Sequence, residues 1–355
     1  MSGRDVPRVV VFSPYGRGAG SVRTRVHEWL ERFGAEFDVH GFLGRYAAGW
    51  AEISREPLAA ARAQWSLHAP HLVNGNDVVL IHREASPLSD GRVEGRLLAN
   101  AGWGVVDLDD GLQWDWGHGG LARRLRPKAK KVIRMIRAAD VVIAGNDLIA
   151  EWASTYSQAV VVIPTCVEPS KYVRKNSYEL GATPRLGWIG SAASEAQLAS
   201  MCDQLLDLHV RTGARIEIVG DPRPKLGRLE TIVDRVTWSE GAAYSAPARW
   251  DVGLMPVPDG LMERAKCGYK VLQYGAAGLP VACSPVGVNA EILRGDHSSL
   301  IDQLDKLLVM TTAERERVGA AVRELVYDRY SYDAHQTLWA STVFGPRDPS
   351  EWISA

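Results

Sequence analysis

Lys266, Gly268 and Lys270 set two ammonium groups around one glycine, immediately ahead of an amphipathic run, and that spacing suits a diphosphate. Gly268 allows close backbone approach, the N–H groups of the first helical turn beyond it lack intrahelical partners, and the lysines add positive charge at that end. Val271, Leu272, Tyr274 and Gly275 then recur at helical spacing, Gly278 stops the helix, and 279–282 enters a buried strand.

Asp107-Leu108-Asp109-Asp110-Gly111 follows a strand-forming run, so its carboxylates should emerge at a strand end. Two chemistries compete there: a D-x-D site holding a nucleotide diphosphate through a divalent ion, or acceptor positioning and proton acceptance by Asp109 and Asp110. The lysine pair already supplies charge for a diphosphate, which makes metal redundant and favours the acceptor role. An aspartate-rich turn capping the next helix is the plain alternative. Trp114 and Trp116 offer stacking faces for an acceptor, Arg83 and Glu84 a second wall, and His118 a base in a glycine-rich loop.

Gly16, Gly18 and Gly20 lie between a strand and a helix, but a dinucleotide fingerprint needs its third glycine three positions after the second, and Gly20 comes one early. Arg23 and Arg25 open the next helix, where cations oppose the macrodipole and suggest an anion nearby, solvated surface arginines being the other reading. Gly190 and Ser191 form a second loop for phosphate approach.

These groups need strand ends and helix starts to hold them. Strands are expected at 8–12, 38–43, 78–82, 104–108, 141–144 and 160–163, with helices between them, one at 23–33. After a polar, irregular stretch to Pro184 the alternation restarts, with strands at 185–189, 215–219, 235–238, 252–255 and 280–284. This βα rhythm predicts an α/β chain of two doubly wound Rossmann-like domains facing a cleft, with ligands at the carboxyl ends of the strands.

At 355 residues two domains are the natural expectation, and 46% hydrophobic with 23% charged residues is ordinary for a globular chain. A net charge of −1 gives no global attraction to nucleic acid or anionic membrane. No apolar run approaches the ~20 residues that span a bilayer and no secretory leader opens the chain, so a cytoplasmic protein is expected. The basic, acid-free stretch 123–137 reads as a solvated face or as a peripheral contact with an anionic membrane. Cysteines at 166, 202, 267 and 283 have neither zinc nor redox spacing. Cys267, beside the lysines, is either a thiol of lowered pKa or a small packing residue.

The run 266–287 resembles the donor-site signature of the family 4 glycosyltransferases of the GT-B fold, in the branch whose motif begins K-C-G-F/Y-K-L-L-Q-Y. The resemblance extends to 186–191, 251–256, 161–167 and, more loosely, 107–110. It implies retaining transfer of a sugar from a nucleotide diphosphate donor, without cofactor or metal, to an acceptor such as a small natural product, an envelope glycan or a lipid carrier. Lys266 and Lys270 would neutralise the leaving diphosphate. Gly18, Gly190, Ser191, Arg264, Gln273, Ser284, Val288 and Glu291 would contact the donor, Gln273 at the ribose. Asp109 and Asp110, with Arg23, Arg25, Arg83, Glu84, Trp114 and His118, would serve the acceptor. The family's E-x7-E pair is missing: Ala265 and Gln273 stand at its two positions. The implied limits are 1–165 for an N-terminal acceptor-binding domain, 166–184 for a linker, 185–330 for a nucleotide-sugar-binding domain, and 331–355 for a helix crossing back. A nucleotide-sugar-binding protein without transfer activity and a Rossmann-type NAD(P) oxidoreductase are the alternatives.

Overall fold

The computed structural model describes residues 8–44, 50–114, 128–223, 225–292 and 296–345. The chain divides into two units: unit 1 is Met1–Thr165, Arg264–Cys267 and His335–Ala355, and unit 2 is Cys166–Glu263 and Gly268–Ala334. The short run Arg264–Cys267 therefore belongs to unit 1 although unit 2 flanks it on both sides in sequence.

Unit 1 is built on β1 (Val9–Ser13), β2 (Phe37–Gly41), β3 (Val78–His82), β4 (Trp103–Leu108), β5 (Val141–Ala144) and β6 (Val160–Val162). All pair in parallel, in the order β2-β1-β3-β4-β5-β6. β1, β3 and β5 are valine-rich and buried along their whole length, as strands covered on both faces must be. Val10, Phe12, Val79, Ile81, Val106 and Val142 pack with Val93, Leu97, Val132 and Met135 from helices Arg92–Ala99 and Lys128–Ala138. From His335 onward the terminal helix adds to this unit, Trp339 stacking on Trp29 with ring centroids 5.1 Å apart. The helix expected at 23–33 begins earlier, at Gly20, and passes through a π-helical turn at Arg23–His27. Arg23 and Arg25 therefore lie beyond its first turn, which removes the macrodipole argument for an anion beside them.

Unit 2 has β7 (Arg185–Ile189), β8 (Arg215–Gly220), β9 (Val233–Thr237), β10 (Val252–Met255) and β11 (Val281–Cys283), parallel in the order β11-β10-β7-β8-β9. Residues 166–184, expected as a linker, are part of this unit. Tyr172 is buried there edge-on to Tyr244, and the buried Lys175 donates to the Trp250 carbonyl at 2.5 Å.

Candidate functional site

In unit 1 the strand order reverses between β1 and β3, the place where an open parallel sheet leaves a crevice at its carboxyl end. His82 and Asp107 are register partners on β3 and β4, so both side chains leave the sheet on one face, and His82 Nδ1 lies 2.7 Å from Asp107 Oδ2. Arg25 meets the same carboxylate, with Nε 3.2 Å from Oδ2 and Nη2 paired to Oδ1, while Nη1 donates to the Ile163 carbonyl at 2.8 Å. Burial opposes both charges, but each partner's field outweighs it: the Arg25 pKa rises and that of Asp107 falls. The expectation that Arg25 meets the acceptor is thereby corrected, because it is 3% exposed and its donors are engaged inside the unit.

Arg83, the residue after β3, is the one non-glycine at positive φ (64°) among the described residues. The Glu84 N–H turns back to the His82 carbonyl at 2.8 Å, closing a three-residue turn around Arg83. Such a backbone costs of order 1–3 kcal/mol and persists where its surroundings over-determine it. The guanidinium is held by Asp109 at 2.6 and 2.9 Å, and its carbon stands 5.7 Å over the Tyr15 ring. Burial would raise the Asp109 pKa, yet Arg83, then His82 and Arg25, hold it well below the usual carboxylate range. Asp110 is more open: Oδ1 accepts the Gly111 N–H at 2.9 Å and lies 3.7 Å from Lys266 Nζ, and Oδ2 is 3.5 Å from Arg83 Nη2.

Asn146 anchors the inserted run, donating to the Ala265 carbonyl at 2.7 Å while its Oδ1 caps the helix Asp147–Ser154. The Cys267 thiol donates to the Asp109 carbonyl at 3.2 Å. Burial and then the Asp109 charge push its pKa up to about 12, which corrects the lowered-pKa reading and leaves a packing thiol.

Glu84 is no acceptor wall: it is buried against Lys131, with Nζ to Oε2 at 2.7 Å, and Lys131 also lies 3.2 Å from the buried Glu94. The same pair corrects the uniformly solvated reading of 123–137, since Lys131 faces inward; 123–127 and His118 lie outside the described residues. Trp114 is half-buried and edge-on to Trp152. Arg23 is mostly buried, 3.4 Å from Glu28, whereas Gly18 is exposed in the loop after β1. Among the described residues no helix is long and apolar enough to cross a membrane.

In unit 2, Gly268 takes the left-handed conformation (φ 64°) that only glycine enters without strain, and from there the helix Tyr269–Ala277 starts with no side-chain cap among the described residues. The Lys270 ammonium lies 5.3 Å from the centroid of the Trp188 ring. Gly190 and the exposed Ser191 follow β7, and Ser191 precedes a single helical turn, Ala192–Ser194. Ser284 Oγ accepts the Val257 N–H at 2.9 Å, the buried Val288 lies against Gly268, and Glu291 is exposed. Gln273, expected at the ribose, is 3% exposed and lies within unit 2's core. Arg264, expected at the donor, is exposed and belongs to unit 1.

Sequence reasoning missed His82, Asn146 and Trp188. For His82 the available signal was a polar residue closing an otherwise apolar strand that neighbours an aspartate-ended one.

No protein-family model matches the chain, and no curated protein matches it. Solved structures do. WaaG, a glycosyltransferase of lipopolysaccharide biosynthesis, aligns with TM-score 0.62 at 15% identity over 95% of this chain and all (100%) of that one. The E. coli trehalose-6-phosphate structure bound with UDP-2-fluoro glucose aligns with TM-score 0.60 at 14% identity, covering 96% and 99%. S. aureus TarM, in complex with UDP and α-GlcNAc-glycerol, aligns with TM-score 0.52 at 11% identity over 77% of this chain but only 56% of its own length. At such identities the likeness is one of fold. Two Rossmann-like units with parallel sheets of six and five strands make this a GT-B fold.

Proposed function

We propose that the chain is a glycosyltransferase that moves a sugar from a nucleoside diphosphate donor to an acceptor with retention of anomeric configuration. The observation that carries this reading is the helix start in unit 2, where left-handed Gly268, backbone donors and Lys270 suit a diphosphate. The 266–287 motif supports it, as do solved proteins of the same fold whose structures contain UDP or UDP-2-fluoro glucose.

Lys266 and Lys270 are assigned to the charge of the leaving diphosphate, which is stabilised electrostatically while the acceptor attacks from the same face, so no enzyme nucleophile is required. Asp110 is assigned to orienting the acceptor hydroxyl and taking its proton. Asp109 suits that step poorly, because Arg83 clamps it and its pKa lies far from neutral. Arg83, presented by a strained turn and held by Asp109, is the acceptor-side cation. The acceptor class remains a small natural product or an envelope glycan.

A thermal-shift comparison of UDP, GDP, ADP and dTDP tests the donor half. One of them should stabilise the protein, by about 2.7 kcal/mol at 100 times its dissociation constant. No shift with any of the four would sink the reading. Transfer should persist in excess EDTA, since Asp107 and Asp109 already hold arginines where a D-x-D site would hold a cation; activity lost to EDTA and restored by Mn²⁺ would contradict that assignment.

A further inference from the structure

Trp188 is the next-to-last residue of β7 and is fully buried, yet its indole N–H has no hydrogen-bond partner among the described residues. A buried, unsatisfied donor is unfavourable, so a tryptophan here calls for a compensating interaction that a plain apolar side chain would not supply. Two observations locate it. A Cβ on Gly190 would come within 2.4 Å of the ring, so the indole lies directly beneath the loop that follows β7. The Lys270 ammonium lies 5.3 Å from the ring centroid, inside the range in which a cation is drawn to an indole face.

Lysine is a charge on a flexible four-carbon stem, so each contact on the ammonium narrows the arc it can sweep from the second position of a helix. We propose that Trp188 is a positioning residue that fixes the Lys270 ammonium at the start of the helix Tyr269–Ala277, so that a diphosphate meets a preplaced charge. This rests on the reading of Gly268–Lys270 as the diphosphate site. The indole does not touch the ligand; it acts through the lysine.

The test is a double-mutant cycle on UDP affinity by calorimetry, using Trp188→Leu, Lys270→Ala and the double variant. Trp188→Leu should weaken UDP binding about three- to ten-fold, the range of a partly desolvated cation–π contact. In the Lys270→Ala background the same substitution should change affinity less than two-fold. Trp188→Phe keeps a ring face and should lose about two-fold; if Trp188→Leu fails to fold, this variant carries the same cycle. Equal losses with and without Lys270 would make Trp188 merely structural and overturn the proposal, as would an unchanged affinity in Trp188→Leu. Wild-type affinity in Lys270→Ala alone would instead remove the diphosphate reading, and the inference with it.

Discussion

At the ends of β3 and β4, unit 1 sets its geometry with polar and charged side chains that hold one another: Arg25 with Asp107, His82 with Asp107, Arg83 with Asp109. At the ends of β7 and β10, unit 2 uses glycine backbone, a serine loop and one lysine set over an indole. The two designs should fail differently. Removing one member of a buried ion pair strands the other charge in a low-dielectric site, so stability and function fall together. Removing a lysine from a glycine-built helix start takes away a charge meant for the ligand, so binding should fall while the fold stands.

The sharpest break is Asp107→Asn. It leaves Arg25 buried without its counter-charge and should cost about 3–5 kcal/mol, read from chemical denaturation with amide exchange at β3 and β4 assigning the loss to unit 1. A loss under about 1 kcal/mol would mean that water or rearrangement compensates, and the contrast between the units would lose its basis.

Asp110→Asn should lower kcat/KM about 10²-fold, with a far smaller change in UDP affinity, since it removes an acceptor-side base and reaches the donor only through Lys266, 3.7 Å away. Parental turnover would return Asp110 to the role of a turn-former. Lys270→Ala should weaken UDP binding roughly ten-fold with the unfolding temperature unmoved, the mirror image of Asp107→Asn. A drop in unfolding temperature comparable to that of Asp107→Asn would erase the distinction.

The smallest effect at neutral pH is titration of Asp109. Its folded pKa lies below the unfolded value of about 3.9, so its stabilising contribution is present above that pH and drains away as pH falls toward the folded value. Unit 1 should lose stability on acidification below about pH 4, and Asp109→Asn should flatten that slope. An unaltered acid profile in the variant would show that other carboxylates govern it.

Short-range patterns were legible in the chain. Valine-rich runs marked β1, β3 and β5, and the strands expected at 78–82, 141–144, 185–189 and 252–255 have those limits in the structure. Gly268 and Gly278 were readable as helix punctuation because a left-handed residue is a local backbone requirement, and both are left-handed. Even the acidic strand end at 107–110 was visible as a constellation.

What those acids hold was not visible. Arg25 and Asp107 are separated by 82 residues, His82 and Asp107 by 25, Lys131 and Glu84 by 47; strand register pairs His82 with Asp107, while Arg25 and Lys131 meet their acids from the helical segments Arg23–His27 and Lys128–Ala138. A linear pattern shows that a charge is present; it does not show whether a counter-charge will be folded against it. Arg25 and Glu84 therefore read as ligand contacts and are core ion pairs, and of the two readings open for Cys267, burial beside Asp109 removes the activated thiol and leaves the packing residue. The sequence by itself determined the strand and turn content, because dihedral preference and burial periodicity act within a few residues. Only the tertiary structure decided which charges neutralise one another and which stay open, because Coulomb energy and desolvation depend on distances and surroundings that sheet order and register create.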